Sequence, residues 1–472
     1  MSIRNKRTLS LLVCLALISS AMTGCSAFSS VSAVKSAAVN ADEKLINEES
    51  MMRTVSELAS EKYAGRMTGT AGNEAAARYI AERFKAIGLS NPKGLENYMQ
   101  LYPQTVITLK DVPKLSIIDD AGKSIKEFKY VENFVLRSLS SAADNIDITA
   151  PLHVVKDLNE LAPENQEIKG KLLLISWRLR GTMPFYRIIE LVHSCGAAGA
   201  LGEFDIKSSR RTHGALTVTP MIGPWLSGEH SPFINVENNT FAELTSAFEN
   251  GRKVSYKCNF TREDSKKVPN VVGLLPGTDE KLKDQYIIIG AHFDHVGQNL
   301  DGSFNPGGLD NASGVAAMIE VAQVMKKNKT APSKPMLFIA FNGEESGMLG
   351  SEYYANHPVY PIDNSVMICM DMVGSSEKLP IMVVGAEESK LDLQKEMYDY
   401  CQELKIDAMK QINSGSDHAS FAAKGVKSVL LINDDFFNGY HTPDDTIEDV
   451  DKGRIEEITK LVLHYIDKNA YN

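Results

Sequence analysis

Imidazole and carboxylate side chains recur through the second half of the chain in a fixed order: His292-Phe293-Asp294, Gly308-Leu309-Asp310-Asn311, Glu344-Glu345, Asp371 and His441. These are the donor types that two hydrated divalent ions close together require, with one carboxylate able to reach both ions and an open face left for water and substrate. Asp294 returns to the side of His292 two residues on, so its carboxylate can hold the far nitrogen of that imidazole. Asp310 is the candidate bridging ligand, and in a Gly-rich turn before a helix it is equally suited to be a cap. Of the adjacent Glu344 and Glu345, one can bind metal while its neighbour carries a proton from water to a leaving group. Asp371 ends Val366–Met370, a run too apolar to finish in a charge without a partner or an ion. His441 lies in a loop past the apolar run Ser428–Ile432, and Tyr440 beside it can donate to a developing oxyanion. Each motif alone has a plainer account as a structural histidine, an acidic turn or a surface group. Their order and setting favour the chemical one. His295 and His418 receive no role.

The elements that must position these groups are legible in the hydrophobic pattern. From Val268 onward, strand signals at Val271–Leu275, Tyr286–Ala291, Met336–Phe341 and Val366–Met370 alternate with helical ones at Ser313–Lys327 and Gly347–Asn356. That alternation predicts an α/β sheet with helices on both faces, and such sheets place ligands beyond the carboxyl ends of their strands. In the first of these helices Val315, Met318, Ile319, Ala322 and Met325 predict one buried stripe. Leu45 to Leu89 reads as two helices around a Gly/Thr turn, closed by Gly88 as a C-cap. Residues 105 to 262 are β-rich and carry no chemical motif.

A chain of 472 residues is long enough for two or three domains. Its 50 basic and 60 acidic residues give a formal charge of −10, which argues against broad attraction to nucleic acid or anionic lipid and leaves small molecules or peptides as partners. Arg4, Lys6 and Arg7, an apolar run from Leu9 to Ile18 and the small residues before Cys25 read as a secretion signal too short to span a bilayer. Residues 26–42 read as a tether. Cys195, Cys258, Cys369 and Cys401 have no metal-knuckle spacing and are expected to be buried free thiols.

Several stretches carry resemblances. Met22-Thr23-Gly24-Cys25 resembles a bacterial lipoprotein box, which implies lipidation of Cys25 and an exported enzyme anchored to the outer face of the membrane; a plain cleaved signal is the alternative. The strand, helix and Gly/Ala sequence from Gly170 to Phe248 resembles a protease-associated domain. The ordered motifs HxD, DNxSG, EExGxxGS, DxVG, SDHxxF and YHTPxDT, at 292, 310, 344, 371, 416 and 440, resemble the di-zinc aminopeptidases, whose relatives include glutamate carboxypeptidase II, transferrin receptor and glutaminyl cyclase. The resemblance implies a mixed, mostly parallel sheet sandwiched by helices, built from residues 43–105 and 263–472, with the smaller insert at 106–262. It implies two zinc ions, one on His292 and Asp371, the other on Glu345 and His441, with Asp310 bridging. Glu344 would be the general base for a zinc-bridged hydroxide, Tyr440 the oxyanion donor and Phe421 a lining residue for the first substrate side chain. A cis peptide after Asp310 is also implied. Peptides are then the expected substrates, cleaved from the N-terminus. A carboxypeptidase drawing on Arg178, Arg180, Arg210 or Arg211, a single-zinc glutaminyl cyclase and a metal-binding receptor remain alternatives, and the oligomeric state is open.

Overall fold

The computed structural model describes residues 41–138, 145–205, 230–299, 302–387, 391–436 and 439–471. The signal, Cys25, nearly all of the tether, Arg210 and Arg211 lie outside the described residues.

Eight strands form the sheet that bears the motifs: Met99–Leu109 (β1), Lys253–Leu275 (β2), Ile287–His292 (β3), Met336–Phe341 (β4), Val366–Asp371 (β5), Ile381–Gly385 (β6), Ala408–Ile412 (β7) and Lys427–Asn433 (β8). Their spatial order is β7-β6-β8-β5-β3-β4-β2, and β1 pairs with β2. The central strands β8, β5, β3 and β4 are parallel, whereas β2 against β4 and β6 against β8 are antiparallel. β3 and β4 are buried along their whole length, as continuous apolar runs predict for strands covered on both faces. From β3 the chain passes first to β4 on one side and then to β5 on the other. This reversal opens a crevice at the carboxyl end of β3, where open α/β sheets bind ligands.

Helices Glu48–Leu58 (α1), Ala71–Ile87 (α2), Gly314–Lys327 (α3), Leu349–Asn356 (α4), Asp392–Leu404 (α5), His418–Ala422 (α6) and Lys452–Asn469 (α7) cover the sheet. Thr70 caps α2 through its hydroxyl, and Gly88 ends it in the left-handed region at φ +86°, which spares the Cβ penalty there. The stripe expected for α3 is too narrow: apart from Gln323 the helix is buried from Gly314 to Met325. The reason is that α1, α2 and α7 pack over the side it turns away from the sheet.

The insert has its own apolar clusters, one around Phe134, Leu172, Leu174, Tyr256 and Phe260 and another around Ile175, Ile188, Val192 and Phe233. It is joined to the catalytic sheet by a ladder rather than a loop: β1 and β2 run continuously across the expected boundaries, with a register shift between Gln104 and Val106. The four described cysteines are buried and free. Among the described residues no helix is long and apolar enough to cross a membrane.

Candidate metal centre

Parallel pairing sets the first two donors side by side. β3 and β5 are adjacent and in register from Ile287 with Val366 to Gly290 with Cys369, so their last residues, His292 and Asp371, emerge together. His292 Nε2 lies 3.1 Å from Asp371 Oδ1. Ser416 donates to the other oxygen of Asp371 at 2.9 Å, fixing the carboxylate plane.

Asp310 comes from the turn between β3 and α3, where the Asp310–Asn311 peptide is cis. Its two oxygens diverge: Oδ1 is 3.4 Å from His292 Nε2 and Oδ2 is 3.1 Å from His441 Nε2. This turn is held from outside by Asp445, whose carboxylate accepts from the main-chain N–H of Leu309 at 2.7 Å and of Asp310 at 3.1 Å. Asn311 fastens the far side, accepting from Gly314 and Met372 and donating to the Met370 carbonyl. The Gly307 backbone is at φ +63°, and a Cβ there would lie 2.6 Å from the Arg66 guanidinium and 2.7 Å from the His295 ring.

Glu344 and Glu345 follow β4 through Gly343, whose φ of +73° turns the chain back. The Asp294 carboxylate accepts from the main chain of both glutamates, at 3.2 and 3.3 Å, and from the Thr68 hydroxyl at 3.2 Å. Asp294 thus does more than was expected of it. Its carboxylate stands 3.7 Å from His292 Nδ1, and the nearer acceptor, at 3.2 Å, is its own main-chain carbonyl. The side chain therefore shapes the glutamate turn as well as facing the imidazole, and its carbonyl gives the imidazole a nearer acceptor.

His441 sits in the turn Gly439–Thr446 at φ +57°. Its Nε2 is 3.1 Å from Asp310 Oδ2 and 3.1 Å from Glu345 Oε2, yet neither oxygen is oriented for a hydrogen bond. The donors converge on a point between them instead of on one another. Donors around a tetrahedral ion with bonds of ~2.0–2.1 Å stand about 3.3 Å apart. The separations here, 3.1 to 3.4 Å for the predicted ligands, fit two such ions sharing Asp310. Described donor groups form two clusters accordingly, His292, Asp310 and Asp371 in one, and Asp310, Glu345 and His441 with His295 in the other.

Two neighbouring glutamates are electrostatically distinct. Burial raises Glu344 well above the ordinary carboxylate range, reinforced by the negative charge of Glu345, Asp371 and Asp417. Burial pushes Glu345 the same way, but His441 and His295 outweigh it and hold Glu345 at about 2. Tyr440 stacks on His441 with ring centroids 3.8 Å apart and meets Phe436 edge-on at 4.9 Å. Burial and the surrounding carboxylates raise its hydroxyl well above the usual phenol value, so it remains a donor.

Phe421 is placed differently from the expectation. It is fully buried on α6, between Phe341 and Tyr354 at centroid distances of 5.8 and 6.0 Å, and presents no surface to a substrate. Ser416, just before α6, faces Asp371, while Phe421 on α6 faces the core. Arg180 packs among Phe185, Phe204 and Phe233 and donates to the Glu203 carbonyl, and Arg178 lies over Trp177.

No role was expected for His295, Asp445 or the side chain of Arg66. The guanidinium of Arg66 is wholly buried and donates to four carbonyls, those of Leu58, Phe293, Pro306 and Gly307. It thereby ties the end of α1 to the turns carrying Asp294 and Asp310. Burial lowers it to about 10, opposed by Asp445, Asp310, Asp294 and Glu345, so it stays charged and offsets their repulsion.

The model of Peptidase family M28 matches residues 270–466, which contain all the residues of the two metal-ligand clusters. Aminopeptidase YwaD of Bacillus subtilis is 28% identical over 424 residues, covering 87% of this chain and 82% of that protein. Among solved structures, the aminopeptidase from Aneurinibacillus sp. strain AM-1 superposes with a TM-score of 0.69 at 22% identity, covering 91% of this chain and 95% of that one. BSAP, a zinc aminopeptidase from Bacillus subtilis, superposes with a TM-score of 0.63 at 21% identity, covering 90% and 96%. The family model thus lies over the convergent donors: residues 270–466 are similar to peptidase family M28, and the chain is a metallopeptidase.

Proposed function

We propose that the chain is an aminopeptidase that uses two zinc ions to remove N-terminal residues from peptides. The observation that carries this reading is the divergence of the Asp310 oxygens, one towards His292 and Asp371 and the other towards Glu345 and His441. Similarity to aminopeptidase YwaD over most of both chains supports the choice of peptide end, and the donor set suits zinc. Zinc bound there supplies Lewis acidity for the scissile carbonyl and lowers the pKa of an attacking water. Glu344, raised by burial, accepts the proton of that water and returns it to the departing amine. Tyr440 donates to the carbonyl oxygen as negative charge develops on it. Asp294 and Asp445 hold the turns that present these groups, through main-chain N–H donors. We further propose, from residues 1–25 alone, that the enzyme is exported and lipidated at Cys25.

The test is mass-spectrometric. The chain from Ser26 onward is incubated with peptides bearing free, acetylated and Gln-initiated N-termini, with and without a chelator. Stepwise, chelator-sensitive loss of N-terminal residues from free peptides alone is expected. Trimming from the C-terminus would make it a carboxypeptidase, and loss of ammonia from the Gln peptides a cyclase.

A further inference from the structure

We propose that His295 is a protein ligand of the second metal ion, giving that site four protein donors, two imidazoles and two carboxylates, against three in the first. The proposal rests on the metal centre argued above. His295 Nδ1 is 3.1 Å from Glu345 Oε1 and 3.7 Å from Asp310 Oδ2. Together with the two 3.1 Å separations at His441, these bracket the spacing of about 3.3 Å expected around one tetrahedral ion. The His295 and His441 rings are nearly perpendicular, at 79°, with centroids 5.4 Å apart, so two imidazoles edge onto one small space from different directions. The four donor atoms all lie within 4.8 Å of one another.

The ring is built into this position. It is fully buried, its main-chain N–H donates to the Arg66 carbonyl, and the bare Cα of Gly307 packs against its Cδ2 edge. A buried side chain with one nitrogen facing two carboxylates and a second imidazole is preorganised for an ion. Asymmetry follows. The first site offers one imidazole and two carboxylates and favours oxygen-preferring ions less strongly discriminated; the second offers two nitrogens and favours zinc, cobalt or nickel. The second site should fill first and release its ion last.

A hydrogen bond from His295 that merely orients Glu345 would use the same 3.1 Å contact, so the experiment separates ligation from positioning. The metal-free chain, His295→Ala and His295→Gln are titrated with zinc against a competing chelating dye, and the zinc-loaded proteins are examined by X-ray absorption. Thermal melting of the metal-free proteins checks that both variants fold. Wild type is expected to take up two ions with unequal affinity and an average of three imidazoles per two zincs. Both variants should weaken the tighter site by more than about 100-fold, beyond the roughly 10–100-fold typical of losing an orienting group, and drop to two imidazoles. His295→Gln restoring wild-type affinity, or an unchanged imidazole count, overturns the assignment alone. A wild-type chain that takes up no metal overturns the metal centre as well.

Discussion

The two sides of the site are built by different means. His292 and Asp371 end neighbouring strands, so the β-ladder itself sets their separation and Ser416 with one carbonyl completes their orientation. Asp310, Glu345 and His441 stand on turns, and two of those turns take their shape from carboxylates that point at main-chain N–H groups, Asp445 for Asp310 and Asp294 for Glu344 and Glu345. Strand-borne donors inherit precision from the fold; turn-borne donors need dedicated braces. The turn side also carries Glu344 and Tyr440, the groups proposed to act on water and carbonyl, whereas the strand side rests directly on the core.

The largest effect should come from the turn side. Glu344→Gln is expected to lower kcat by roughly 10²–10⁴ with two metals retained, since it removes a proton carrier and no ligand. Peptide turnover with metal analysis checks this, and full activity would remove Glu344 from the mechanism. On the strand side the expected effect is on stability. Phe421→Ala should cost ~3–5 kcal/mol in denaturant unfolding by leaving a cavity between Phe341 and Tyr354, while leaving the preferred N-terminal residue unchanged. A changed preference with intact stability would return Phe421 to the substrate pocket.

Acid should expose the same core dependence. His418 is buried, its Nε2 lies 2.8 Å from the Asn413 carbonyl, and burial depresses it from 6.5 to about 4. The unfolded chain binds a proton that the folded one refuses, so this contribution is fully present above pH 6.5 and lost as pH falls towards about 4. Measured on metal-free protein, wild type should lose up to ~3 kcal/mol more than His418→Gln over that window. Equal losses would mean that the imidazole is not held neutral. The smallest effect tests a brace. Asp445→Asn keeps one acceptor and sets an amide against the second N–H, which should cost ~1–3 kcal/mol and weaken metal binding roughly 10–100-fold. Unchanged affinity, read in the same dye competition, would show that the Asp310 turn holds itself.

The strand side was the more legible in the sequence. Apolar runs that stop at His292 and Asp371 mark both the strands and the edge at which they open, and the five predicted donors are brought together. The braces were not legible, because they act across distance: Asp445 is 136 residues from Leu309, and Arg66 reaches carbonyls 227 to 241 residues away. Local pattern carries no signal for such contacts. Alternation placed the Asp294 side chain near His292, where it stands, but not the two N–H donors that the turn after β4 adds to its carboxylate, nor the nearer contact of its carbonyl with the imidazole. Phe421 sits in a motif whose polar members face the site; its own ring goes to the core, as a fully apolar side chain on one helical turn does when a buried aromatic pair lies beneath it.

The measurement that bears most directly on the two-metal reading is the number of zinc ions per chain in wild type, His292→Ala and the double variant His295→Ala/His441→Ala, determined by elemental analysis after equilibration with zinc and removal of unbound ion. Two ions in wild type and one in each variant are predicted, because His292 is assigned to one ion, His295 and His441 to the other, and Asp310 to both. Two ions retained in either variant, or none in wild type, would contradict it.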